Sequence, residues 1–156
     1  MRITFEMLGE TQFEREILRV GNRGGDARPA FRTIRHLWEE WNAQQFESEG
    51  SRASGGWAQL ADSTVLSRGS AHPILHLTGA LEDALTGGLE EHTLITDDFI
   101  HMLLPDGDGE PGQYGSYHQS GTSRMPQRRP VEFTTHDREE MLKVLQRWVI
   151  TGEVHA

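Results

Sequence analysis

Between Asp26 and residue 47, Phe31, Ile34, Trp38, Trp41 and Gln45 repeat at three- and four-residue steps, with Leu37 and Phe46 at the margins. At 100° per residue the four apolar positions span about 80° of a helix surface, so the run predicts one long amphipathic helix. Asp26 and Pro29 mark its start, because proline is tolerated in a first turn. A second periodic run, Met141, Leu142, Leu145, Trp148 and Val149, predicts a C-terminal helix from near Thr135. Asp137, Glu139 and Glu140 suit its positive end, and Gly152 stops it.

The shorter segments read less clearly. Residues 2–8 alternate, with Ile3, Phe5 and Met7 on one side, which predicts a strand. Thr11 would cap a short helix carrying Phe13, Ile17, Leu18 and Val20, ended by Gly21, Gly24 and Gly25. Residues 48–56 are a flexible loop by composition, and 62–72 are Ser/Gly-rich and predicted irregular. Thr78 or Gly79 starts a short helix with Leu81, Ala84 and Leu85, stopped by Gly87 and Gly88. Residues 92–96 and 99–104 read as two strands around Asp97-Asp98. Residues 105–113 read as a loop, within a longer loop from 105 to 130. Val131-Glu132-Phe133 is a third short strand candidate. The sum is a single α+β domain over 1–156. A small, mostly antiparallel sheet packs with a long N-terminal-half helix and a C-terminal helix, joined by long loops.

Composition narrows the function. The chain of 156 residues has room for one core of ordinary size. Apolar residues are 35% and glycines number 17, which predicts a thin core or apolar surface supplied by a neighbouring subunit. The net charge of −9 argues against a general nucleic-acid binder, which would present a basic face. No cysteine is present, so disulfides, thiol catalysis and cysteine–zinc sites are excluded. No apolar run is long enough to span a bilayer, and Met-Arg-Ile-Thr-Phe-Glu has no secretion-signal core. The expected address is the cytoplasm of the cell that makes the chain.

Candidate chemistry is sparse. His72 and His76 have the i, i+4 spacing of a helical metal pair, but Pro73 disfavours helix at His72. Asp106, Asp108 and Glu110 match part of a calcium loop, yet Gly109 comes too early. Ser116, Ser120 and His118 suggest a nucleophile without the Gly-x-Ser-x-Gly elbow of a serine hydrolase. Neither cofactor nor metal is therefore expected. Arg28, Arg32 and Arg35 lie roughly 110° from the apolar stripe of their helix and read as a solvated face.

One segment reverses the local charge. Residues 113–131 contain no acidic residue but hold Arg124, Arg128 and Arg129, the last two bracketed by Pro126 and Pro130. Two readings stay open. The segment is a basic arm that docks on an acidic neighbour or on DNA backbone, or its arginines pair inside the chain.

Four motifs occur in order over about residues 50–150. They are Gly55-Gly56-Trp57-Ala58-Gln59-Leu60 with Ser63-Thr64; Leu75-His76-Leu77-Thr78-Gly79-Ala80-Leu81; Tyr114-Gly115-Ser116-Tyr117-His118-Gln119-Ser120-Gly121; and Pro126-Gln127-Arg128-Arg129-Pro130. The ordered set resembles the phage virion-morphogenesis family of tail completion and head–tail joining proteins. The last motif has an extra residue between its prolines, which leaves open which arginine holds the family position.

The resemblance implies a non-catalytic virion protein, made in the host bacterial cytoplasm and placed at the head–tail junction or the top of the tail. It implies a homo-oligomeric ring, as a hexamer, between the connector or head-closure protein and the tail terminator or tail tube protein. Passive contact with DNA in the channel is implied too, and no membrane. Ring neighbours would bury exposed Trp or Phe faces. The residues expected to meet partners are Tyr114, Tyr117, His118, Gln119, Arg124, Arg128 and Arg129. Trp57, Leu60, Thr64, Thr78, Gly79 and Leu81 form the structural motif. The alternatives are a tail terminator that caps the tube, and a small hydrolase or nuclease using His118 with a nearby carboxylate.

Overall fold

The computed structural model describes residues 26–88, 90–105 and 107–154. The first predicted strand and helix lie outside them, as does Asp106 of the calcium-like loop. Helix α1, Arg28–Glu47, is the spine. It buries Phe31, Ile34, Trp38, Trp41, Gln45 and Phe46, the stripe that the periodicity predicts. Helices α2, Asp62–Arg68, and α3, Ala80–Thr86, follow. Strands β1, Thr93–Ile95, and β2, Ile100–Met102, pair antiparallel with Leu94 opposite His101. Helix α4, Pro111–Ser120, precedes the C-terminal helix α5, Thr135–Thr151. The described chain is thus a small α+β domain of five helices and one two-stranded sheet.

Three elements pack on α1. Asn42 donates to the Leu85 carbonyl at 3.0 Å, holding α3. The Trp38 indole donates to Met141 Sδ at 3.1 Å, holding α5. Ala27 N–H donates to the Asp97 carbonyl at 3.1 Å, attaching the hairpin turn where α1 begins. Phe133 stacks on Trp38 at 5.5 Å and meets Trp41 edge-on at 5.9 Å, so one ring joins the α1 stripe to the approach of α5. Helix α5 has a full capping box: Thr134 Oγ1 accepts from Asp137 N, and Asp137 accepts from Thr134 N. Met141 and Leu145 are buried, while Leu142, Trp148 and Val149 are half-buried.

Several expectations are corrected. Residues 62–68 form a helix rather than an irregular stretch. None of its residues is buried, so it carries no apolar period to read. Residues 111–120 are helical inside the stretch read as loop, with Pro111 in the first turn. Two glycines weaken the helical signal there, and one is required: a Cβ on Gly112 would stand 2.4 Å from the Pro105 carbonyl oxygen. Residues 131–133 form no strand, because the Gln119 side chain takes both the N–H and the carbonyl of Val131. The two remaining strands are shorter than predicted. Arg35 is buried, 3.5 Å from Glu90 and 3.9 Å from Glu39, so only Arg28 and Arg32 of that trio face solvent. Trp38, Trp41 and Trp57 are buried and Trp148 half-buried, so the described tryptophans do not form the exposed face expected for ring neighbours. No helix among the described residues is long and apolar enough to cross a membrane.

Candidate functional site

The motif at 55–64 meets in space the two adjoining motifs at 114–121 and 126–130, some 70 positions further on. Helix α4 ends at Gly121, whose φ of 72° turns the chain. A tight turn follows, closed by the Thr122–Met125 bridge, with Arg124 at its tip. The chain then runs back along the end of α4 as a strap. Arg128 N–H donates to the His118 carbonyl at 2.9 Å, and the Gln127 side chain donates to the Gln119 carbonyl at 2.9 Å. Gln119 grips Val131 with both ends of its amide, at 2.9 and 3.3 Å. A side-chain amide here takes the place of a neighbouring strand.

The strap is also bound to the loop after α1. Arg128 is buried at 5% exposure, and its guanidinium donates to the carbonyls of Ala58 and Gln59 at 2.6 and 2.7 Å. The Trp57 indole and the Gln45 amide both donate to the Arg129 carbonyl, at 3.0 and 3.1 Å. Gln45 also donates to Ser54, whose hydroxyl donates to Glu132. Arg129 closes the ring with an ion pair to Glu132 at 2.8 Å. Nearby, Arg52 meets the buried Asp137 at 2.5 Å and lies 5.7 Å from the Trp41 ring centre. Trp57 packs edge-on to Phe46 at 5.4 Å. A Cβ on Gly50, at φ 85°, would overlap the Trp57 ring at 2.3 Å.

The electrostatics follow from burial. Desolvation pulls the His118 imidazole below its ordinary value, and the Arg128 charge adds to this. Its Nδ1 is buried with no hydrogen-bond partner among the described residues. Desolvation also lowers the Arg128 guanidinium. Burial raises the Tyr114 phenol, with Glu110 adding to the shift. Asp137 stays low although burial pushes it up, because Arg52 and the Thr134 N–H and hydroxyl hold its charged form.

The predicted partner residues divide in two. Gln119 and Arg128 have their polar groups engaged inside the chain, and His118 and Tyr114 are half-buried. Tyr117, 48% exposed, and Arg124 face outward, as does Arg129 with its ion pair. Of the structural motif, Trp57 and Leu81 are buried, Leu60 packs half-buried on the core, and Gly79 is buried with φ 82° where α3 begins. Thr78 Oγ1 accepts weakly from Ala80 N at 3.4 Å, and Thr64 is exposed on α2.

The hydrolase residues are not brought into a relay. Ser116 Oγ donates to the Gln113 carbonyl, Ser120 is exposed, and no hydrogen bond links either serine to His118. His72 and His76 are held apart in function: the first binds Glu49 at 2.7 Å, the second Glu82 at 2.6 Å. No cluster of three or more metal-ligating side chains occurs among the described residues.

Sequence reading missed Gln45, Ser54, Arg52, Glu132 and Asp137 as members of this network. Gln45 left a signal, being a polar residue at the helical spacing set by Phe31, Ile34, Trp38 and Trp41. Comparisons with protein-family models, with curated proteins and with solved structures each find no match.

Proposed function

We propose that this chain is a structural protein of a tailed bacteriophage or phage-derived particle, acting as a non-catalytic tail completion or neck ring component at the head–tail junction. One observation carries the reading. The motif at 55–64 and the adjoining motifs at 114–121 and 126–130, some 70 positions further on, converge on a single hydrogen-bonded anchor that presents a turn outward. Residues that look chemical in the sequence, His118, Gln119, Ser116 and Arg128, serve as internal holds or lie within that anchor. Tyr117 and Arg124 are the outward members, suited to an acidic protein neighbour such as a connector or tail component. One exposed, unbracketed arginine at a turn is a small charge for gripping DNA, so DNA contact in this reading is passive.

The test is negative-stain electron microscopy of lysates from a phage or prophage with this gene deleted. DNA-filled heads beside separate tails of normal length are expected. Overlong tubes would move the assignment to a tail terminator. Normal infectious particles would overturn both.

A further inference from the structure

The strap packs on the end of α4. Near the start of that helix, beside α3, lies an open groove of about 620 Å³. Ala80, Ala84, Gly87, Gly88 and Pro111 line it, all small residues. Gly88 packs its backbone on α3, where a Cβ would stand 3.3 Å from the Ala84 Cα, so the wall beside it is bare main chain. The remaining lining residues are Asp83 and His92.

Neighbouring carboxylates already have partners. Glu82 meets His76 at 2.6 Å, and Glu90 meets Arg35 at 3.5 Å. The Asp83 carboxylate is different: Asp83 is exposed, and its side chain has no hydrogen bond or ion pair among the described residues. Neither lysine nor arginine lines the groove. Two further exposed acidic residues adjoin lining residues, Glu91 before His92 and Glu110 before Pro111. The groove is thus a channel of small residues with one unpaired carboxylate in its wall and two more next to it in the chain.

We propose that this groove docks a basic segment of a protein partner, which lays an arginine side chain along it. The aliphatic stem lies against Ala80, Ala84 and Pro111, where no longer side chain takes the space. The planar guanidinium meets the Asp83 carboxylate, a geometry that arginine serves better than lysine. A segment of protein fits better than a free guanidine or amine. Small-molecule sites enclose most of their ligand, and an open groove does not. One free cation also uses one carboxylate, while Glu91 and Glu110 offer partners to further basic residues of a segment. The proposal stands apart from the phage reading and from the Tyr117/Arg124 turn, which suits a neighbour of the opposite charge.

NMR titration of the full isotope-labelled chain tests it. The probe is an acetylated, amidated Ser-Arg-Ser-Arg-Ser peptide, and the control is its citrulline counterpart, alike in shape but uncharged. The arginine peptide should shift the amide signals of Ala80, Ala84, Gly87, Gly88 and His92, and the citrulline peptide should not. Asp83→Asn should raise the dissociation constant about tenfold, the loss of one charge-assisted pair. Ala80→Leu fills the channel without changing the charge and should weaken binding by a similar factor. Glu47→Gln removes an equal charge at the end of α1 and should change binding by less than about twofold. All three positions are exposed, so the fold is not at stake. Shifts spread over the acidic surface without a focus, no shift at all, equal binding of the two peptides, or an Asp83→Asn or Ala80→Leu variant that binds like wild type would each overturn the inference.

Discussion

Trp57 donates its indole hydrogen to the carbonyl oxygen of Arg129, 72 positions along the chain, at 3.0 Å. This bond joins the loop after α1 to the strap before α5. Trp57→Phe keeps most of the ring but loses the donor, while Gln45 still serves the same carbonyl. Urea unfolding should show a loss of about 1 kcal/mol. Trp57→Ala should lose about 3–5 kcal/mol, since the ring is also part of the core. Equal losses for the two variants would show that the hydrogen bond, and not the ring, carries the effect.

Arg128→Lys retains the charge but not the planar fork that reaches two carbonyls. Each of these part-buried hydrogen bonds from a charged donor is worth about 1.5–3 kcal/mol, and the ammonium reaches one carbonyl at most. The midpoint of chemical unfolding should fall accordingly. Arg124→Lys, at the exposed turn, should leave it unchanged.

His118 has a folded-state value below its ordinary 6.5. The unfolded chain therefore binds the proton first as pH falls. Stability tied to neutral His118 is full above about pH 6.5 and declines as pH drops below it toward the lowered folded value. Unfolding of wild type and His118→Gln, compared between pH 7.5 and pH 5.5, should show a smaller pH dependence in the variant. An unchanged slope would contradict the assignment.

Asp137 acts in the same direction as His118, but at lower pH. Its lowered value means that its stabilisation is present above the ordinary 3.8 and is lost as pH falls through the folded value. Asp137→Asn leaves Arg52 without its carboxylate in a nearly closed site and weakens the α5 cap. The expected cost is about 3 kcal/mol, read by thermal or urea unfolding near neutral pH.

Gly50→Ala should be strongly destabilising for a local reason. The new Cβ meets the Trp57 ring, and φ is 85°. Circular dichroism melting should show a fall larger than for Gly109→Ala, where φ is also positive but nothing stands within 4 Å.

The long elements could be read from the chain because their signal is local. The α1 stripe from Phe31 to Phe46 and the α5 stripe around Met141 and Leu145 repeat at the helical period, and Pro29, Asp137 and Gly152 mark ends that backbone chemistry demands. The hairpin was legible for the same reason, from alternation around Asp97-Asp98. Helix α2 was not, because none of its residues faces a core and so no period exists to find. Helix α4 was hidden by Gly112 and Gly115, chosen for close approach to Pro105 and Leu81 rather than for helix propensity.

At the candidate site the division is sharper. The sequence determined which residue types gather at 113–131: a basic, acid-free segment whose Arg128-Arg129 pair lies between two prolines. Only the tertiary structure decided which arginine turns inward. Arg128 goes inside because the Ala58 and Gln59 carbonyls, some 70 positions away, need donors there. Val131 is kept out of a sheet because Gln119 reaches both its polar groups. Those outcomes depend on contacts between distant segments, which periodicity and propensity do not encode, whereas helix period and turn chemistry act between near neighbours and are written in the order of residues itself.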